Sequence, residues 1–178
     1  MRTLLVLVVS AAVAVPAWAA GIDPQALVVE RADVPRGFRI DASDSGVRTN
    51  ELEARQYPET RPLFERWRRI TGYQVVYSRR DARILARADL FRAAEGARKL
   101  VARIDLEFRR SGVGGVKRSA TTMGSGGWLY TASASGGYTV VAWRYRRVAA
   151  AVIGMGLTTK RTVALARAQQ RRIAAALG

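Results

Sequence analysis

GGYTVVAWRYRRVAAAVIGMG, from Gly136 to Gly156, decides how the rest of the chain is read. Two apolar runs of strand length flank a basic knot, Trp143-Arg144-Tyr145-Arg146-Arg147. The knot sits where a turn belongs, so the stretch predicts a β-hairpin at the centre of a sheet with a cationic, aromatic tip. Upstream, Val116–Met123 and Trp128–Ser135 read as two more strands joined at Gly124-Ser125-Gly126-Gly127. The result is an antiparallel meander. Downstream, Thr159–Leu177 reads as a closing helix, with Val163, Ala166, Gln170, Ile173 and Leu177 as the seam facing the sheet.

Further from the hairpin, Ala93–Arg110 is the main helix, with an apolar stripe of Ala97, Leu100, Val101, Ile104 and Phe108. Glu95 and Lys99 form an i,i+4 pair, and Ser111-Gly112 then Gly114-Gly115 end the helix. Tyr73–Arg79 alternates as a strand, and Ile84–Leu90 fits a second strand with helix as competitor. Thr60 caps a helix over Arg61–Ile70 that Gly72 stops, and Thr49 or Asn50 caps a shorter one with Glu53 as capping-box partner. Asp23-Pro24 starts a helix over Gln25–Arg31, and Phe38–Ile40 begins a strand. The order gives an α+β fold: an antiparallel sheet with a C-terminal meander, packed by a long central helix and a C-terminal helix.

The first residues read differently. Met1-Arg2 is a positive start, Leu4–Val15 an apolar run broken only by Ser10, Pro16 a helix breaker, and Ala17-Trp18-Ala19 a small-x-small cleavage site. This is a secretory signal peptide over residues 1–19, leaving 20–178 as a single secreted α+β domain. As a helix the run would span about 18 Å, short of a hydrocarbon core of roughly 30 Å. Without cysteine an oxidising compartment brings no disulfide, so packing must hold the fold.

Net charge is +16, and its distribution matters more than its size. All 14 acids lie at or before Glu107, while the chain from Phe108 onward carries 12 basic residues and no acid. A basic C-terminal half points to an anionic partner, such as a membrane surface or a wall polymer.

The absence of His and Cys removes Ser-His-Asp and Cys-His nucleophiles and imidazole or thiolate metal sites. None of the three lysines stands in a Ser-x-x-Lys motif. Asp41-Ala42-Ser43-Asp44-Ser45-Gly46 looks like the start of a calcium loop, but its twelfth position is Leu52, so it reads as a polar loop. Gly124–Gly127 lacks the Gly-Lys-Ser/Thr ending of a phosphate loop and reads as a strand connection. No catalytic, metal or cofactor residue is assigned. Two groups remain. Arg144, Tyr145, Arg146 and Arg147 form an anion- or partner-binding tip, because Arg forks grip phosphate or carboxylate and Tyr adds a stacking surface. Trp128, Tyr130 and Trp143 either fill the core or line a pocket between sheet and helix.

Several landmarks recur together elsewhere: Leu27 with Asp33–Phe38, Trp67 with Thr71-Gly72-Tyr73, Phe91–Ala97, Trp143-Arg144 with Arg147-Val148, and Ala168-Gln169 with Arg171-Arg172-Ile173. In these the chain resembles small secreted proteins and lipoproteins of unknown function from actinobacteria and their relatives. That resemblance implies a compact α+β sandwich of the PsbP-like or kinase-sensor-ectodomain kind in the cell envelope. It implies no activity. The departure is the missing lipid-anchor cysteine, which argues for a released or loosely associated protein. The expected function is a non-enzymatic, secreted or periplasmic binding domain for an anionic envelope component or an apolar ligand. The alternative is an interaction protein docking another envelope protein. Nucleic acid is disfavoured because no binding motif is present.

Overall fold

A computed structural model of the chain describes residues 21–110, 115–132 and 137–178. The expected signal peptide, most of the expected helix stop (Ser111-Gly112 and Gly114) and the end of the expected strand Trp128–Ser135 lie outside the described residues. The strands are β1 (Arg39–Ile40), β2 (Gly46–Arg48), β3 (Arg69–Arg79), β4 (Ala82–Phe91), β5 (Lys117–Thr121), β6 (Gly127–Ala132), β7 (Tyr138–Tyr145) and β8 (Val148–Met155). The helices are α1 (Asn50–Gln56), α2 (Thr60–Trp67), α3 (Ala94–Arg110) and α4 (Thr159–Leu177). All strand pairs are antiparallel, in the order β1-β3-β4-β8-β7-β6-β5, with β2 also on β3. This is the expected α+β architecture, and β7 and β8 form the hairpin read from Gly136–Gly156.

Helices cover both faces of the sheet. On one face, Ile84, Ala86, Ala88 and Leu90 of β4, Val148, Ala150 and Val152 of β8, and Val141 and Trp143 of β7 pack under Leu165, Ala166 and Ile173 of α4. Leu27, from a 3-10 turn over Pro24–Leu27, completes this layer. On the other face Phe91 and Ala149 meet Ala97 and Val101 of α3, with Trp67, Leu100 and Trp128 alongside. Successive strand residues point to opposite faces, so each central strand supplies both cores.

Four expectations are corrected. The helix expected over Gln25–Arg31 is only the 3-10 turn, capped as expected by Asp23, whose carboxylate accepts from the Gln25 N–H at 2.9 Å. The helix expected over Arg61–Ile70 ends at Trp67, and Arg68 takes a left-handed conformation (φ 54°) that turns the chain straight into β3. Gly72 therefore stops no helix. It lies within β3 opposite Asp89, where an added Cβ would come within 2.5 Å of Arg69 Nη2 and 2.6 Å of Asp89 Oδ1. The seam of α4 is rotated from the expected one: Thr162, Leu165, Ala166, Gln169 and Ile173 are buried, while Val163, Gln170 and Leu177 flank them half-buried. Polar Thr162 and Gln169 were passed over because their hydrogen bonds, to the Thr158 and Arg87 carbonyls, are invisible in a hydropathy pattern.

Candidate functional site

The two faces are filled differently. Under α4 the large side chains Trp143, Tyr77, Ile84 and Ile173 are fully buried. Between α2, α3 and the opposite face a cleft of about 350 Å³ remains. Its walls are Leu63, Phe64 and Trp67 of α2 and Leu100, Ile104 and Phe108 of α3. Its floor is sheet: Leu85 and Arg87 of β4, Val140 of β7, and Ala149, Ala151 and Ile153 of β8. The opening has a local cause. On this side β8 presents the small Ala149 and Ala151 before Ile153; Ala149 packs against Ala97 and Val101 of α3, and Ala151 offers the cleft only a methyl, whereas Val148 and Val152 fill the α4 side. The size sits at the lower end of the range for small-molecule sites, and a mostly apolar lining is typical of them.

One end of the cleft is built from buried charge. Arg87 donates through Nε to Asp89 Oδ2 at 2.8 Å, through Nη2 to Asp89 Oδ1 at 2.9 Å and through Nη1 to Glu53 Oε1 at 3.2 Å. Arg69, fully buried, donates through Nε (2.8 Å) and Nη2 (2.6 Å) to Asp89 Oδ1. It also donates to Asn50 Oδ1 at 2.7 Å and to the Arg48 carbonyl at 2.8 Å. Two guanidiniums thus face two carboxylates, and the network closes on itself. Burial pushes the Asp89 carboxyl up, but Arg87 and Arg69 override it and hold the group down at about 2. The same network ties α1 to the sheet through Asn50 and Glu53. Thr49 caps α1, its hydroxyl accepting from the Leu52 N–H at 3.1 Å, which leaves Glu53 free to turn inward rather than close a capping box.

At the mouth, Glu59 and Thr60 from the start of α2 face Arg103 and Glu107 from the far turns of α3, and Arg103 is ion-paired to Glu107. The cleft lining holds four carboxylates (Glu53, Glu59, Asp89, Glu107) against two guanidiniums (Arg87, Arg103). In a chain of net charge +16 this is a locally neutral-to-acidic pocket.

The sequence-selected residues fall in three places. Trp143 lies under α4, fully buried, its Nε1 donating to Gln170 Oε1 at 2.6 Å. Tyr130 and Trp128 lie on the α3 face, beside the cleft but outside its lining. The Tyr130 hydroxyl donates to Asp105 at 2.7 Å, and its ring stacks on Phe108 with centroids 4.3 Å apart. Arg118 grips Asp105 through two bonds (2.6 and 2.9 Å) while covering the Trp128 ring at 3.4 Å. Burial pushes the Asp105 carboxyl up, but the bonds from Arg118 and Tyr130 hold it below the usual carboxylate range. These residues lock α3 onto the β5–β6 hairpin. At the tip, Arg146 (φ 49°) is exposed and donates to the Leu177 carbonyl at the end of α4 at 2.6 Å. Arg147 is half-buried, and its carbonyl accepts from the Phe91 N–H at 2.9 Å. Arg144 and Tyr145 are half-buried on opposite faces by strand alternation. The tip is thus not one four-residue patch.

Arg69, Arg87, Asp89 and Glu53 were missed by sequence reasoning. Arg87 and Asp89 alternate with the apolar face of β4, and alternating charges ordinarily mark solvent. The available signal was Ala149-Ala150-Ala151: alanines on a central strand leave space on any face that other residues do not fill.

The fold is similar to the crystal structure of the extracellular domain of PknH from Mycobacterium tuberculosis. The TM-score is 0.51 and the identity 11%, covering 85% of this chain and 94% of that one. This is consistent with the kinase-sensor-ectodomain type of sandwich. No family model and no curated protein matches the chain.

Proposed function

We propose that this chain is a non-catalytic, exported binding domain that receives a small, largely apolar ligand in the cleft between α2, α3 and the sheet. The observation that carries this reading is the contrast in lining: open apolar walls above a floor whose charges already satisfy one another. A self-paired network offers an anion no free guanidinium, and the surplus of carboxylates favours a neutral or cationic ligand. The fold likeness to an extracellular domain and the reading of residues 1–19 support export. Titration with the neutral fluorescent probe N-phenylnaphthylamine tests the reading. One saturable site is expected, lost in Ile104→Trp and Leu63→Trp, which fill the cleft from either wall. Unsaturable binding, or native affinity retained in both variants, overturns it.

A second reading has one observation in its favour. β5 is exposed along its length and ends the sheet, and no strand pairs with its outer edge among the described residues. An envelope protein adding a strand there would dock by backbone hydrogen bonds. Ser119→Pro, which spoils a strand edge, would abolish such a complex and leave probe binding intact.

A further inference from the structure

The charge imbalance along the sequence becomes a geometric one in the fold. Of the 12 cations after Phe108, Arg109 and Arg118 pair with Asp105, and Arg172 pairs with Glu30 and Asp33. The others have no carboxylate partner among the described residues. Four of them, Lys160, Arg161, Arg167 and Arg171, are exposed on α4. At 100° per residue, Lys160, Arg167 and Arg171 fall within about 40° of one another, directly opposite buried Gln169. They make a straight stripe about 16 Å long. Arg146 lies beyond the end of α4, where it donates to the Leu177 carbonyl.

Beside the stripe runs a groove between α4 and the β5–β6 connection, of about 370 Å³. Arg167, Arg171, Thr121 and Thr122 supply cationic and hydroxyl groups there, and Met123 and Val163 supply apolar surface. Guanidinium forks with hydroxyl donors suit a phosphate, and an adjacent apolar strip suits the glyceride portion of a lipid. A purely hydrophilic polyanion would leave Met123 and Val163 facing water. We propose that the outer face of α4, with this groove, docks on an anionic phospholipid surface. The cleft lies on the opposite face of the sheet, so a docked molecule holds it open to solvent, away from the lipid.

Each cation close to such a surface strengthens partitioning by roughly fivefold, so removing three should cost about a hundredfold. The test is co-sedimentation with phosphatidylcholine vesicles containing about a third phosphatidylglycerol, at low and physiological salt. The triple variant Lys160→Gln, Arg167→Gln, Arg171→Gln should lose about a hundredfold in binding while keeping its circular dichroism spectrum. The control triple Arg55→Gln, Arg61→Gln, Arg66→Gln changes net charge equally on exposed positions of α1 and α2 and should keep nearly all of it. Equal losses in the two triples would overturn the proposal by reducing it to net charge. So would binding to pure phosphatidylcholine as tight as to the anionic vesicles. Full displacement by soluble polyphosphate at matched charge would overturn it in favour of a hydrophilic polyanion. Probe binding in the cleft is unaffected by the α4 triple, so failure here and failure of the cleft reading are separable.

Discussion

The two faces of this sheet use the same strands and reach opposite ends. Under α4, β-branched and aromatic side chains interdigitate with small ones, and the Gln169 amide N–H and the Trp143 indole N–H both donate inside the protein. Under α2 and α3, β8 presents Ala149 and Ala151 and β4 presents the charged Arg87 and Asp89, and space is left over. One face is a core in the ordinary sense. The other is a platform on which a buried ion network substitutes for packing. What differs on β8 is which member of each alternating pair was made large, so a cleft can be opened over a sheet without disturbing its hydrogen-bond ladder.

The comparison breaks most visibly at Asp89. Asp89→Ala leaves Arg69 and Arg87 buried without their shared carboxylate and should destabilise the protein by about 4 kcal/mol in urea unfolding. A loss below about 1 kcal/mol would mean that water reaches the network and that the platform is not dry. Packing gives the next contrast. Trp143→Ala on the filled face should lose about 3 to 4 kcal/mol, whereas Ile104→Ala at the cleft wall should lose about 1, because it removes atoms that already border empty space. Equal losses would erase the distinction between the faces.

A pH titration sharpens it further. The carboxyl of Asp89 is held at about 2, below its ordinary value of 3.8. A depressed carboxylate contributes stability above the ordinary value and loses it as pH falls through the folded one. The window is therefore about pH 4 down to 2, and the contribution about 2 kcal/mol. Unfolding free energy measured across that window should fall in the native chain, and the slope should flatten in Asp89→Asn.

Much of the frame was legible in the residues. The turn between Tyr145 and Val148, the strand Val148–Met155 and the helix Thr159–Leu177 stand where hydropathy and turn chemistry put them. Regular elements announce themselves because their periodicity is local. The cleft did not, because its parts come from β4, β8, α1, α2 and α3, and no local period connects Glu53 with Arg87 or Gly72 with Asp89. Gly72 was read as a helix stop when its role is to clear room for an ion pair across a strand. The tip was read as one patch because Arg144–Arg147 are adjacent in sequence, whereas strand alternation sends Arg144 and Tyr145 to opposite faces. The cations on α4 were seen, but the groove beside them depends on the β5–β6 connection, about 40 residues earlier in the chain, lying against Arg167 and Arg171.

The central claim is that the cleft face, and not the α4 face, holds the ligand. Backbone and methyl chemical-shift mapping during titration with N-phenylnaphthylamine measures this directly. Shifts confined to Leu63, Leu100, Ile104, Ala149, Ala151 and Ile153, saturating together, are the expected result. Shifts centred on Leu165, Ile173 and Val152 beneath α4, or spread without saturation over both faces, would contradict it.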